Sequence, residues 1–96
     1  MSKDDILAML SEFKKNNAQK YGITMLGLFG SYARGSNNDQ SDIDICMKTA
    51  TPDPFIIIHI KDDLEAVFKK HVDIIRVREK MNLFLKERIE KEAIYV

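Results

Sequence analysis

The sequence predicts an α/β (α+β) domain: a small mixed β-sheet flanked by helices, in two or three layers. Two observations carry this prediction. Three short runs, Ile23–Phe29, Ile43–Lys48 and His71–Val77, are apolar and rich in β-branched residues. They alternate with segments whose apolar residues recur at helical spacing. Gly, Asn, Ser and Pro gather at the junctions, where chain breakers belong. The expected order is α-β-α-β-α-β-α.

Ser2 to about Gln19 reads as the first helix. Ser2 and Asp5 have the spacing of a capping box, and Asp4 and Asp5 suit the positive end of the helix dipole. Ile6, Leu7, Leu10 and Phe13 form one apolar face, and Asn16, Asn17 and Gly22 mark the exit. Ile23–Phe29 is nearly continuous in apolar residues, which implies burial on both faces. Gly27 inside it points to another group approaching the backbone closely. Ser31–Arg34 fits one helical turn closed by Gly35, and Gly35–Ser41 is loop by composition. In Ile43–Lys48, alternation puts Ile43, Ile45 and Met47 on one face and Asp42, Asp44 and Cys46 on the other.

Asp53 can cap a third helix with Pro54 at its first position. Phe55-Ile-Ile-Ile58 also suits a strand. The spacing Ile57, Ile60, Leu64, Val67, Phe68 decides for a helix to about Lys69. The Phe55–Ile60 run is apolar enough for a core or an interface. His71–Val77 is the third strand. Glu79 to about Ala93 is the last helix, with Met81, Phe84, Leu85 and Ile89 inward and Lys86, Glu87, Glu90 and Lys91 solvated. Ala93–Val96 is a fraying end or a short extended tail.

At 96 residues, 1–96 is expected to be a single domain, burying roughly two-thirds of its unfolded surface in one modest core. Fifteen basic and fifteen acidic residues cancel, so broad electrostatic binding to nucleic acid is not expected as the main activity. The single Cys46, between Ile45 and Met47, excludes an internal disulfide and reads as a buried strand thiol. No apolar run reaches the roughly 20 residues that span a bilayer, and the start MSKDDILAML lacks the form of a signal peptide. The expected location is the cytoplasm.

Residues i and i+2 of a strand share a face, about 7 Å apart, so Asp42 and Asp44 can converge on one metal. A pair of carboxylates with few nitrogens nearby suits Mg²⁺. Asp73 on the next strand could complete a site for two ions about 3.5–4 Å apart, or accept the proton of an attacking hydroxyl. The bland alternatives are a solvated turn for Asp42 and a salt bridge to His71, Arg76 or Arg78 for Asp73. Asp44, flanked by Ile43 and Ile45, has less room for such an alternative, because a carboxylate inside an apolar strand is costly unless paired.

Gly30 lets backbone approach a phosphate, and the Ser31 hydroxyl can donate to a phosphate oxygen or simply cap the turn. The lysine and glycine spacing of a P-loop are missing. Arg34 either reaches phosphate or pairs with Asp39 or Asp42. Tyr32 reads as packing, His59 as a surface or boundary residue without a second histidine for zinc, and His71 as structural. Lys69-Lys70 and Arg76–Arg78 read as solvated basic clusters.

Gly30-Ser31, ten residues, then Asp42-x-Asp44 resembles the signature of the nucleotidyltransferase superfamily that includes DNA polymerase beta. LFGSYARGSNNDQSDIDI followed by VDII is similar, more closely, to the minimal nucleotidyltransferase (MNT) family, over nearly the whole chain. The resemblance implies a nucleotidyltransferase fold. It implies that Gly30 and Ser31 hold a triphosphate, that Asp42 and Asp44 bind two Mg²⁺ ions, and that Asp73 is the third carboxylate. It also implies a partner, a HEPN-domain toxin, with this chain as antitoxin. The expected reaction is AMP transfer from ATP to a hydroxyl, most simply a tyrosine of that toxin. Transfer to a small molecule, or a non-catalytic antitoxin that blocks its partner by contact, are the alternatives.

Overall fold

The computed structural model describes residues 1–96. Ser2 caps helix α1 (Lys3–Tyr21): its Oγ accepts from the Asp5 amide at 3.1 Å, and Asp5 Oδ2 accepts from the Ser2 amide at 3.1 Å. That amide bond, with the Ser2 hydroxyl, holds the Asp5 carboxyl below its usual range. Gly22, at φ 67°, closes the helix in the left-handed region. Then follow β1 (Ile23–Phe29), α2 (Ser31–Arg34), β2 (Ile43–Thr49), α3 (Pro54–Phe68), β3 (Val72–Arg76), α4 (Leu83–Glu92) and β4 (Ile94–Tyr95).

The strands form one mixed sheet in the order β3-β2-β1-β4. β1 runs antiparallel to β2 and to β4, while β2 and β3 are parallel. A parallel pair needs a crossover, and α3 supplies it. Alternation along the strands separates two cores. On one side Leu26, Leu28, Ile43, Ile45, Met47 and Val72 pack with Ile6, Leu10 and Phe13 of α1 and Ile60, Leu64 and Phe68 of α3. On the other, Phe29 and Cys46 pack with Ile89 of α4. Each fully buried Leu or Ile contributes about 1.5–3 kcal/mol, so the α1/α3 side dominates stability. Ile23 and Leu26, three apart, share that side because the β1 register shifts between Ile23 and Met25. Cys46 is buried as expected, and burial pushes its thiol up.

The tail 93–96 adds a strand. Tyr95 pairs with Gly27, Val96 N–H donates to Leu26 O at 3.0 Å, and Lys14 Nζ donates to Val96 O at 2.7 Å. Here lies the close approach that Gly27 signals. A Cβ on Gly27 would stand 2.8 Å from Tyr95 Cδ1, 3.1 Å from Ile94 O and 3.2 Å from Cys46 Sγ. Gly27→Ala is therefore expected to lower stability by about 1–3 kcal/mol by crowding β4. A urea midpoint that falls at constant slope would show it.

Two expectations about the last helix need correction. The last helix starts at Leu83, not Glu79, because Asn82 caps it by accepting from the Leu85 amide at 3.1 Å. From that start Leu85 and Ile89, four apart, face the sheet, and Phe84 does not: it is 80% exposed. Met81 does pack against the Ile89 cluster, from the turn before the helix. On α3, Ile60 is buried whereas Phe55 and Ile58 are exposed, so the apolar run 55–60 is only partly core. No helix is long and apolar enough to cross a membrane.

Candidate functional site

The parallel register of β2 and β3 sets Asp44 opposite Asp73. Both alternate with core residues of the α1/α3 side, so both side chains lie on the α4 side, as does Asp42 two residues before Asp44. The antiparallel register of β1 and β2 sets Phe29 opposite Asp44. The chain leaves β1 at that point through Gly30, at φ 78° and ψ −153°. A Cβ there would fall on Asp44 Oδ2 and within 3.0 and 3.1 Å of its Cγ and Cβ. The two sequence motifs thus meet in space because two strands pair. The loop between them is internally bonded: Asn38 N–H donates to Ser41 Oγ at 2.9 Å and Gln40 N–H to Asn38 Oδ1 at 2.8 Å. Lys70 Nζ donates to Asp39 O at 3.1 Å and ties the loop to the start of β3.

Burial, and then the negative charge of Asp73 and Asp42, push the Asp44 carboxyl above its usual range; Arg88 and Arg34 pull it back in part. Asp42 and Asp73 are about half exposed, at 48% each. His71, just before β3, joins them. Its Nδ1 is 3.4 Å from Asp42 Oδ2 and 3.7 Å from Asp73 Oδ1, and its Nε2 is 4.0 Å from Glu65 Oε2. Ligand atoms of Asp42, His71 and Asp73 all lie within 4.8 Å of one another. Three carboxylates crowded on one strand face, one of them desolvated and disfavoured in its charged form, fit a divalent cation. The oxygen-rich donor set suits Mg²⁺.

Arg34 pairs with neither Asp39 nor Asp42. Its Nη1 donates to Glu92 Oε1 at 3.1 Å and Oε2 at 3.0 Å, across 58 residues of sequence. Arg88 reaches the same carboxylate at 3.8 Å. Gly30 occupies the cap position of α2 and Ser31 its first helical position, so the Ser31 hydroxyl is not the cap. Tyr32 is buried in the larger core, as its packing role predicts, and His59 is exposed on α3. A cleft of about 380 Å³ opens beside the carboxylates, lined by Asp44, Asp73, Phe29, Leu85, Lys61 and Arg88 among others. Sequence reasoning missed Lys61, Arg88 and Glu92, which carry no local signal. It saw His71 but set it aside, although His71-x-Asp73 has the same two-residue spacing as Asp42-x-Asp44.

The raised carboxyl of Asp44 has a consequence for stability. The stabilisation from holding that proton is fully present below the ordinary value of 3.8 and is lost as pH rises through the higher folded value. At neutral pH the ionised group therefore costs stability. Asp44→Asn should melt higher than the wild type near pH 7 without divalent cations, and the gain should vanish in acid. Melts at both pH values check it.

A family model described as a nucleotidyltransferase domain matches residues 10–96. A protein of Methanocaldococcus jannaschii, provisionally named a protein adenylyltransferase, is 33% identical over 93 residues, 96% of this chain and 95% of its own. A solved chain provisionally described as a minimal nucleotidyltransferase superposes with a TM-score of 0.80 at 25% identity, covering 98% of this chain and 95% of that one. A chain from a complex of tri-AMPylated Shewanella oneidensis HEPN toxin with MNT antitoxin superposes with a TM-score of 0.58 at 21% identity. The match covers 88% of this chain and 69% of that one.

Proposed function

The chain belongs to the nucleotidyltransferase domain family and is a nucleotidyltransferase, and on that premise we propose that it transfers AMP from ATP to a tyrosine hydroxyl of a HEPN-domain toxin. The observation that carries this reading is the meeting of Asp44 with Asp73 across β2 and β3, with Asp42 on the same face and the Gly30 turn against Asp44. The name of the archaeal relative supports protein adenylylation, and the Shewanella oneidensis complex supports a HEPN partner.

Asp42, Asp44 and Asp73 would hold two Mg²⁺ ions. When bound, these ions neutralise the triphosphate and stabilise the attacking and leaving oxygens. Gly30 lets the triphosphate come close to backbone, and the Ser31 hydroxyl donates to a phosphate oxygen. Arg34 exchanges Glu92 for phosphate from the α2 side. Asp73 accepts the proton of the incoming hydroxyl. The hydroxyl oxygen bonds to the α-phosphorus, the α–β bridging bond breaks, and pyrophosphate leaves. Positioning and fixed charge supply most of the rate.

ATP labelled at the α- or the γ-phosphate, incubated with the protein, Mg²⁺ and a HEPN-domain toxin, tests this. Label should reach the partner from the α-position only. Transfer of γ-label would point to phosphoryl transfer instead. Neutralisation of the toxin that survives Asp42→Ala with Asp44→Ala would make the chain a blocking partner rather than an adenylylating one.

A further inference from the structure

We infer that His71 is a nitrogen ligand of the metal position formed by Asp42 and Asp73, and that it shifts the preference of that position from Mg²⁺ toward Mn²⁺. The inference rests on the reading that these carboxylates hold divalent cations. His71 precedes β3 and lies two residues before Asp73, so it shares the carboxylate face. Its backbone is fixed: the Ile43 amide donates to His71 O at 3.1 Å, beside Asp42.

The ring distances decide its role. Nδ1 lies 3.4 Å from Asp42 Oδ2 and 3.7 Å from Asp73 Oδ1. Both exceed the 2.7–3.2 Å range of a hydrogen bond. Neighbouring ligands of one octahedral ion stand roughly 3 Å apart, close to the separations seen here. Nε2 lies 4.0 Å from Glu65 Oε2, too far for a hydrogen bond, and that oxygen is held by the Val72 amide at 3.0 Å, so no direct hydrogen bond to either ring nitrogen competes with a ligand role. An all-oxygen set suits Mg²⁺ and Mn²⁺ alike, whereas an imidazole nitrogen adds affinity only for the transition ion, so one nitrogen among carboxylates tilts the position from Mg²⁺ toward Mn²⁺. The competing role for His71 is an imidazolium counter-ion, which would repel a cation rather than hold it.

Pulsed EPR separates the two. The intact protein carrying ¹⁵N only in histidine is loaded with Mn²⁺, alone and with a non-hydrolysable ATP analogue. A ¹⁵N coupling is expected in the wild type, retained in His59→Ala and lost in His71→Ala. The His71→Ala protein should bind Mn²⁺ about tenfold more weakly, with a smaller change for Mg²⁺ measured by competition. His71 is 54% exposed, so its removal should leave the fold intact, as circular dichroism will show. No ¹⁵N coupling in either sample, a coupling that survives His71→Ala, or equal losses for the two ions overturns the inference. AMP transfer without the coupling overturns the ligand role alone. The coupling without AMP transfer overturns the proposed function alone.

Discussion

Asp42→Ala combined with Asp44→Ala is expected to lower AMP transfer by at least about 10³-fold while the protein stays folded. Loss of one preorganised electrostatic group at a reacting centre typically costs about 10²–10³-fold, and here two of three carboxylates go together. The fold should tolerate the change because neither side chain belongs to a core cluster. Ionised Asp44 is held in a partly desolvated position beside two like charges, so its removal relieves repulsion. Initial rates with labelled ATP, read beside urea melts, give both halves of the result. A double variant that keeps a tenth of the activity would remove these carboxylates from the mechanism. One that unfolds would assign them to structure.

Gly30→Ala should be the most damaging single methyl group in the chain. At φ 78° and ψ −153° the residue sits in a region open essentially to glycine alone, and forcing alanine there costs about 1–3 kcal/mol. The added carbon also falls on the Asp44 carboxylate. A displacement of about 1 Å at a reacting group can cost roughly 10²-fold in rate, so transfer should drop by that factor or more. Gly35 is the comparison. It has the same φ of 78° but lies at ψ 15° in the left-handed region, which other residues enter at lower cost, and a Cβ there meets nothing within 4 Å. Gly35→Ala should lose stability and keep transfer within several-fold. Equal loss of activity in the two variants would contradict a specific role for the approach of Gly30 to Asp44.

Much of this arrangement was legible because short-range rules govern it. The bounds of β1 and α2 follow from an apolar run ended by Gly30 and a turn closed by Gly35, and the structure reproduces both. The shared face of Asp42 and Asp44 follows from strand alternation, and the sorting of Ile43, Ile45 and Met47 from Cys46 confirms it. What escaped depends on distant residues. Arg34 finds Glu92, 58 positions away, and no local pattern announces such a pair. β4 is two residues long, too short for periodicity, and exists because Gly27 leaves it room. The start of α4 was misplaced because Glu79-Lys-Met81 are good helix formers, yet the Asn82 side chain captures the Leu85 amide and resets the boundary. The nucleotide and the HEPN partner are expectations of the family resemblance alone, whereas the two-ion site is also read from the strand positions of Asp42, Asp44 and Asp73.

The most direct test of the central claim is the intact mass of a HEPN-domain toxin after incubation with this protein, ATP and Mg²⁺, followed by mapping of the modified residue. The expected result is a mass gain of whole adenylyl groups on tyrosine, absent with the Asp42→Ala, Asp44→Ala protein. An unchanged mass in a mixture where the toxin is nevertheless neutralised would contradict the claim.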